Sequence, residues 1–154
     1  MLKRISKSSA KASGASFAIV ASKYNGRYVD AMLKAAQREL KKAGAKVRVV
    51  RVPGAFEVPA VAAQLAALEP KPDAIICFGV IFQGQTSHAQ HISWGVTHAL
   101  AQIQVQQRIP VIHGVFIFEK EEHAKVRCLG RTHNRGTEAA HTALEMARVM
   151  RGLV

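Results

Sequence analysis

The spacing of apolar residues along the chain alternates between two periods, and that alternation sets the first expectation. Ser16 to Ala21 is a short apolar run, and after it Val29, Met32, Leu33, Ala36 and Leu40 recur at helical spacing. Asp30, Lys34, Arg38, Lys41 and Lys42 fall on the other faces, so the segment reads as an amphipathic helix laid on a sheet and ended by Ala43-Gly44. Lys46 to Val52 alternates basic residues with valines, as suits a partly exposed strand near a sheet edge. Pro53-Gly54 turns the chain into a short helix over about 57 to 68, and the break Glu69-Pro70-Lys71-Pro72 stops it.

Asp73 to Val80 and Pro110 to Phe116 are nearly continuous apolar runs, the pattern of central parallel strands covered on both faces. A helix over about 86 to 107 lies between them. A further helix near 121 to 128, a turn at Gly130 and a last helix from 136 to about 151 follow, the last with Ala140, Ala143, Leu144, Ala147 and Met150 as its buried stripe. Strands alternating with helices imply a parallel sheet with helices on both sides. Right-handed crossovers then favour a flavodoxin-like three-layer α/β/α sandwich with four parallel strands in the order 2-1-3-4. In such sheets ligands bind beyond the carboxyl ends of the strands, where the order reverses. This nominates the loops at 22 to 25, 53 to 57, 82 to 88 and 117 to 119.

Composition changes this picture little. With 154 residues, 49% of them hydrophobic, the chain is sized for one domain with its own core, expected over 16 to 154 behind a basic, flexible segment at 1 to 15. The apolar runs are too short and too interrupted to span a membrane, and the N-terminal stretch lacks the apolar middle of a secretory signal. With only Cys77 and Cys128, a reducing, cytoplasmic setting is expected. The net charge of +12 attracts anions of any kind. Seven of the 22 Lys and Arg precede residue 35, but no interleaved aromatics accompany them, so the run reads as a solvated face rather than a nucleic-acid site.

Candidate chemistry lies in the nominated loops. Gly84-Gln85-Thr86-Ser87-His88 follows a strand and opens a helix, so its N–H groups and the helix dipole suit a phosphate, with an ordinary capped loop as the rival reading. His88 adds a proton carrier beside that anion site. Val52-Pro53-Gly54-Ala55-Phe56-Glu57-Val58-Pro59 puts a flat aromatic and an acceptor at a strand end, where a planar ring could use both. His88, His91 and Cys77 do not make a metal site, because no paired cysteines or carboxylate at ligand spacing accompany them. His98, His123, His133 and His141 read as surface or packing residues, and Cys77 as a small core residue.

Taken together, Pro-Gly-Ala-Phe-Glu-Val-Pro at 53 to 59, Gly-Val-Ile-Phe-Gln-Gly-Gln-Thr-Ser-His at 79 to 88, and Asn-Arg-Gly-Thr-Glu-Ala-Ala at 134 to 140 resemble the lumazine synthases, over about 16 to 153. That resemblance implies a cofactor-free, metal-free condensation of 5-amino-6-ribitylaminouracil with 3,4-dihydroxy-2-butanone 4-phosphate. Tyr24, followed by Asn25, matches the aromatic that stacks on the pyrimidine; Ala55, Phe56 and Glu57 would meet the ring and its ribityl chain, and Val80, Ile81 and Phe82 its other side. Gln85, Thr86 and Arg127 would hold the phosphate, and His88 matches the proton-transfer residue. The resemblance further implies homo-oligomers, pentamers or sixty-subunit shells of pentamers, in which the adjacent subunit supplies His113, Arg127 and Arg135. Gln83, Phe82, His113 and Arg135 stand where Arg, Ile, Phe and Lys are common, and Phe116-Ile117-Phe118 replaces a typical Leu-Thr-Thr. A sister activity on the same fold, the archaeal type of riboflavin synthase, and a non-catalytic flavin-binding paralogue are the alternatives.

Overall fold

In the computed structural model, which describes residues 11–154, the chain runs β1(Ser16–Ser22), α1(Gly26–Lys42), β2(Lys46–Val52), a 3-10 turn (Ala55–Glu57), α2(Val58–Ala66), β3(Ala74–Phe82), α3(His88–Gln107), β4(Val111–Phe118), α4(Glu121–Ala124), a π turn (Lys125–Leu129) and α5(Arg135–Arg151). All strand pairings are parallel and the order is β2-β1-β3-β4. The expected α/β architecture is therefore observed. Most of the basic N-terminal segment lies outside the described residues. Its end joins the fold: the Ala12 N–H donates to the Ala43 carbonyl at 2.7 Å, and Ala15 is buried.

Strand period explains the two cores. Phe17, Ile19 and Ala21 of β1 face one side with Ile76 and Phe78 of β3, where α1 contributes Val29, Met32, Ala36 and Leu40, and α5 contributes Ala140, Ala143, Leu144 and Ala147. Ala18, Val20, Ile75 and Cys77 face the other side, beneath Val58, Ala62 and Leu65 of α2 and Val96 and Leu100 of α3. Removing a fully buried side chain such as Ile76 would cost about 2–5 kcal/mol through lost transfer energy and the cavity left behind. α5 can approach α1 only because residue 136 is glycine: a Cβ there would lie 2.1 Å from the Met32 carbonyl oxygen.

Several expectations are corrected. β4 forms the second edge of the sheet, paired with β3 alone, as the expected order requires, although its apolar run reads as that of a central strand. Its run is apolar because helices cover both its faces, a condition that hydrophobicity cannot distinguish from having a strand on each side. β3 and β4 also run two residues further than expected, to Phe82 and Phe118. The helix anticipated near 121 to 128 is one α turn followed by the π turn carrying Arg127. α2 stops at Ala66 and α3 starts at His88. In α5, Met150 is half-buried and Ala139 is buried instead.

Candidate active site

The loops after β1 and β2 are stitched together before any ligand arrives. Lys23 N–H donates to the Val52 carbonyl at 2.8 Å and Tyr24 N–H to the Pro53 carbonyl at 3.0 Å. Asn25, in the left-handed conformation at φ 56, reaches across the switch point, its Nδ2 donating to the Val80 carbonyl at 2.7 Å. Its side-chain amide thus fixes the β1 loop to the end of β3.

Together these strand ends and the first turns of α3 enclose a cleft of about 660 Å³. Tyr24, Asn25, Ala55, Phe56, Glu57, Val80, Ile81, Phe82 and His88 all line it. Tyr24 and Phe56 leave 68% and 64% of their surface open, an exposure of large rings that suits stacking on a planar ligand. Gly54 permits this mouth: a Cβ there would meet Tyr24 Cδ2 at 2.8 Å and Glu57 Oε2 at 3.0 Å. Glu57 Oε2 instead accepts the Gly54 N–H at 3.0 Å, which orients the carboxylate and leaves its remaining lone pairs for a polyhydroxyl chain.

The loop before α3 is organised from beneath by Gln83, whose N–H donates to the Phe118 carbonyl at 2.9 Å while its Nε2 donates to the Thr86 carbonyl at 3.1 Å. Gln85 and Thr86 are exposed, and Thr86 Oγ1 accepts the His88 N–H at 3.4 Å. The His88 imidazole makes no hydrogen bond among the described residues, so both ring nitrogens remain available to a reactant. His91 and Ile92 also line the cleft, Ser87 Oγ lying 3.2 Å from His91 Nε2. His91 follows His88 at i+3, and the sequence pointed to it only within the rejected metal reading; Ile92, at i+4, was not singled out.

The two arginines lie elsewhere in the chain. Arg127 and Arg135 line a second cleft of about 530 Å³ with Gln83, Trp94, Phe116 and His123. Arg135 is held by Glu138, at 2.5 Å, and stands over the Phe116 ring at 5.9 Å. It also lines a third hollow of about 420 Å³ beside His113 at the β4 edge. There Val115 N–H donates to His113 Nδ1 at 3.3 Å, so Nε2 carries the proton toward Thr97 Oγ1, 2.7 Å away. Partial burial holds this imidazole below its ordinary pKa, in keeping with a neutral ring. Trp94, 67% exposed, was not singled out by any sequence pattern.

The remaining candidates have structural surroundings. His98 and His123 are exposed, and His141 is buried with its Nε2 3.3 Å from Glu39 Oε2. Burial pushes the Cys77 thiol up to about 12 and Cys128 to about 11, which makes both poor nucleophiles. No group of three or more His, Cys, Asp or Glu among the described residues is placed to hold a metal ion. None of their helices is long and apolar enough to cross a membrane.

A parallel sheet with an aromatic-mouthed, carboxylate-bearing cleft and an imidazole at its switch point defines an α/β protein with a ligand-sized site whose lining would suit a planar, hydroxylated molecule. The sequence profile of the 6,7-dimethyl-8-ribityllumazine synthases matches residues 14–151. Two curated relatives carrying that name, from Stenotrophomonas maltophilia and Desulfotalea psychrophila, are 38% and 37% identical to this chain. The alignments cover 90% and 93% of the chain, and 91% and 94% of the relatives. A third, from Xanthomonas oryzae pv. oryzae, is 37% identical over 88% of the chain and 90% of its own length. The chain belongs to the 6,7-dimethyl-8-ribityllumazine synthase family.

Proposed function

We propose that this chain makes 6,7-dimethyl-8-ribityllumazine in riboflavin biosynthesis, in the cytoplasm, by condensing 5-amino-6-ribitylaminouracil with 3,4-dihydroxy-2-butanone 4-phosphate. The observation that carries the reading is the convergence of Tyr24, Phe56, Glu57 and His88 on one cleft, in a chain that belongs to this family. The pyrimidine stacks at Tyr24 and Phe56 against Val80, Ile81 and Phe82. Glu57 accepts from the ribityl hydroxyls.

The amine attacks the ketone and water leaves to give an imine; phosphate is then eliminated, the ring closes, and a second water is lost. His88 moves protons along this sequence, and the neutral-range basicity of imidazole suits it to both taking and giving them. Gln85, Thr86 and Arg127 hold the phosphate, Arg127 through paired N–H donors. Within one chain Arg127 and Arg135 line a different cleft from His88, and this favours an assembly in which a neighbour contributes them together with His113. The assembly proposed is the pentamer, alone or in sixty-subunit shells. Holding both reactants in such a closed site removes the entropy of their encounter.

Purified protein given both substrates should produce lumazine absorbance well above the spontaneous rate. His88→Ala should lower the maximal rate by about 100-fold or more while the assembled mass is unchanged. Turnover no faster than the uncatalysed mixture would overturn the function, and an unaltered His88→Ala rate would overturn the role of the imidazole.

A further inference from the structure

Arg127 makes no hydrogen bond or ion pair to another side chain among the described residues, whereas Arg135 is braced by Glu138 and Phe116. The π turn Lys125–Leu129 it rides on therefore sets where the Arg127 side chain leaves the backbone and which cleft it can reach. Isolated π turns are uncommon and concentrate at functional sites, because the extra residue re-aims the side chains around it.

That segment is tied at both ends. At its far end, Asn134 Nδ2 donates to the Cys128 carbonyl at 2.8 Å, while Asn134 Oδ1 caps α5. Just before it, the hydroxyl of Tyr28, on α1, donates to Glu121 Oε1. Arg27 adds a weaker attraction, its Nη1 lying 3.9 Å from the same oxygen. The Tyr28 ring is 5% exposed, in one apolar cluster with Ala124 and Cys128 of the arginine-bearing segment, and meets Phe82 edge-on at 5.6 Å. Its hydroxyl thus leaves a fixed ring to reach a carboxylate that is otherwise 56% exposed.

We infer that Tyr28 and Glu121 form a latch that positions Arg127 for the phosphate of the keto-phosphate substrate. This rests on the phosphate-binding role proposed for Arg127. Neither latch residue touches substrate; both act through the backbone that aims the guanidinium. The hydrogen bond from Tyr28 is the largest influence holding the Glu121 carboxyl below its usual range, so the acceptor is charged at neutral pH and the bond is charge-assisted.

The test uses steady-state kinetics of the assembled protein, with each substrate varied in turn. Tyr28→Phe keeps the ring and removes only the donor. It is expected to raise KM for the keto-phosphate about fivefold, the scale of one partly exposed charge-assisted hydrogen bond, with kcat and the pyrimidine KM unchanged within about twofold. Glu121→Ala should do the same from the surface side, so the inference stays testable if Tyr28→Phe folds poorly. Glu121→Gln, which can still accept, should recover most of the loss. In an Arg127→Ala background Tyr28→Phe should have no further effect on that KM, because no guanidinium is left to aim. If Arg127→Ala raises the keto-phosphate KM but neither latch variant does, the latch is wrong and the phosphate site stands. If Arg127→Ala itself leaves that KM unchanged, the phosphate assignment fails and the latch with it. A fall in kcat with both KM values raised and a lower melting temperature would reduce the pair to a structural contact and overturn the inference.

Discussion

If the reactive centre is shared between neighbouring copies, two inactive variants should repair each other. His88→Ala removes the imidazole of the first cleft, and Arg127→Ala removes the guanidinium of the second. Neither change empties the core, since His88 is exposed and Arg127 only half-buried, so both chains should assemble. In a closed ring each site takes its imidazole from one copy and its guanidinium from the next. In an equal, randomly assembled mixture, a site is intact when the first copy carries the Arg127→Ala change and its neighbour carries the His88→Ala change. The probability is one half times one half, so about one quarter of the sites, and about one quarter of wild-type activity, should return. The fraction should follow f(1−f) as the proportion f of one variant changes, whatever the number of copies in the ring. The assay is lumazine absorbance at keto-phosphate concentrations well below the wild-type KM, after the two proteins are dissociated and reassembled together. A mixture that never exceeds the weighted sum of its parents would show that imidazole and guanidinium serve within one chain, and the shared-site reasoning would be refuted.

Gly136→Ala drives a methyl group to 2.1 Å from the Met32 carbonyl oxygen, and should cost about 3 kcal/mol or more, seen as a large fall in melting temperature. An unchanged melting temperature would mean that α1 and α5 separate at little cost. Gly54→Ala forces aside the Tyr24 ring, 2.8 Å away, so the pyrimidine KM should rise with little change in melting temperature; an unchanged KM would argue against stacking at Tyr24. Asn134→Ala removes the acceptor for the Gly136 and Thr137 N–H groups together with the donor to Cys128, and should cost about 1–2 kcal/mol in chemical denaturation. For His113, whose folded pKa is depressed, the unfolded chain takes up the proton first as pH falls. Its contribution to stability is therefore complete above the unfolded imidazole pKa and declines as pH drops through that value toward the folded one. Nitrogen NMR of the ring should find the Nε2-protonated neutral tautomer at pH 7, and a doubly protonated ring there would contradict this.

The alternation of apolar periods was sufficient for the parallel sheet, its order, and the nomination of its carboxyl end, because burial on one helix face or on two strand faces leaves a local imprint. The lining of the ring cleft from Tyr24 to His88 was legible for a related reason. Each residue sits at the carboxyl end of a strand, in the loop directly after one or in the helical turns that follow, and parallel topology gathers those segments at one end of the sheet. From its own apolar run the edge placement of β4 was not legible and followed only from the strand order, because helices on both faces demand the same apolar residues that a central strand does. Nor was the π turn under Arg127, whose extra residue disturbs no hydrophobic spacing that a short helix would show. Tyr28 and Glu121 lie 93 positions apart and became partners only when α1 and α4 met. Local sequence determined which faces are apolar and which strand ends carry chemistry. The tertiary structure alone decided which clefts the two guanidinium groups line and how the turn carrying Arg127 is tied down, because those placements depend on contacts between segments whose spacing along the chain carries no periodic signal.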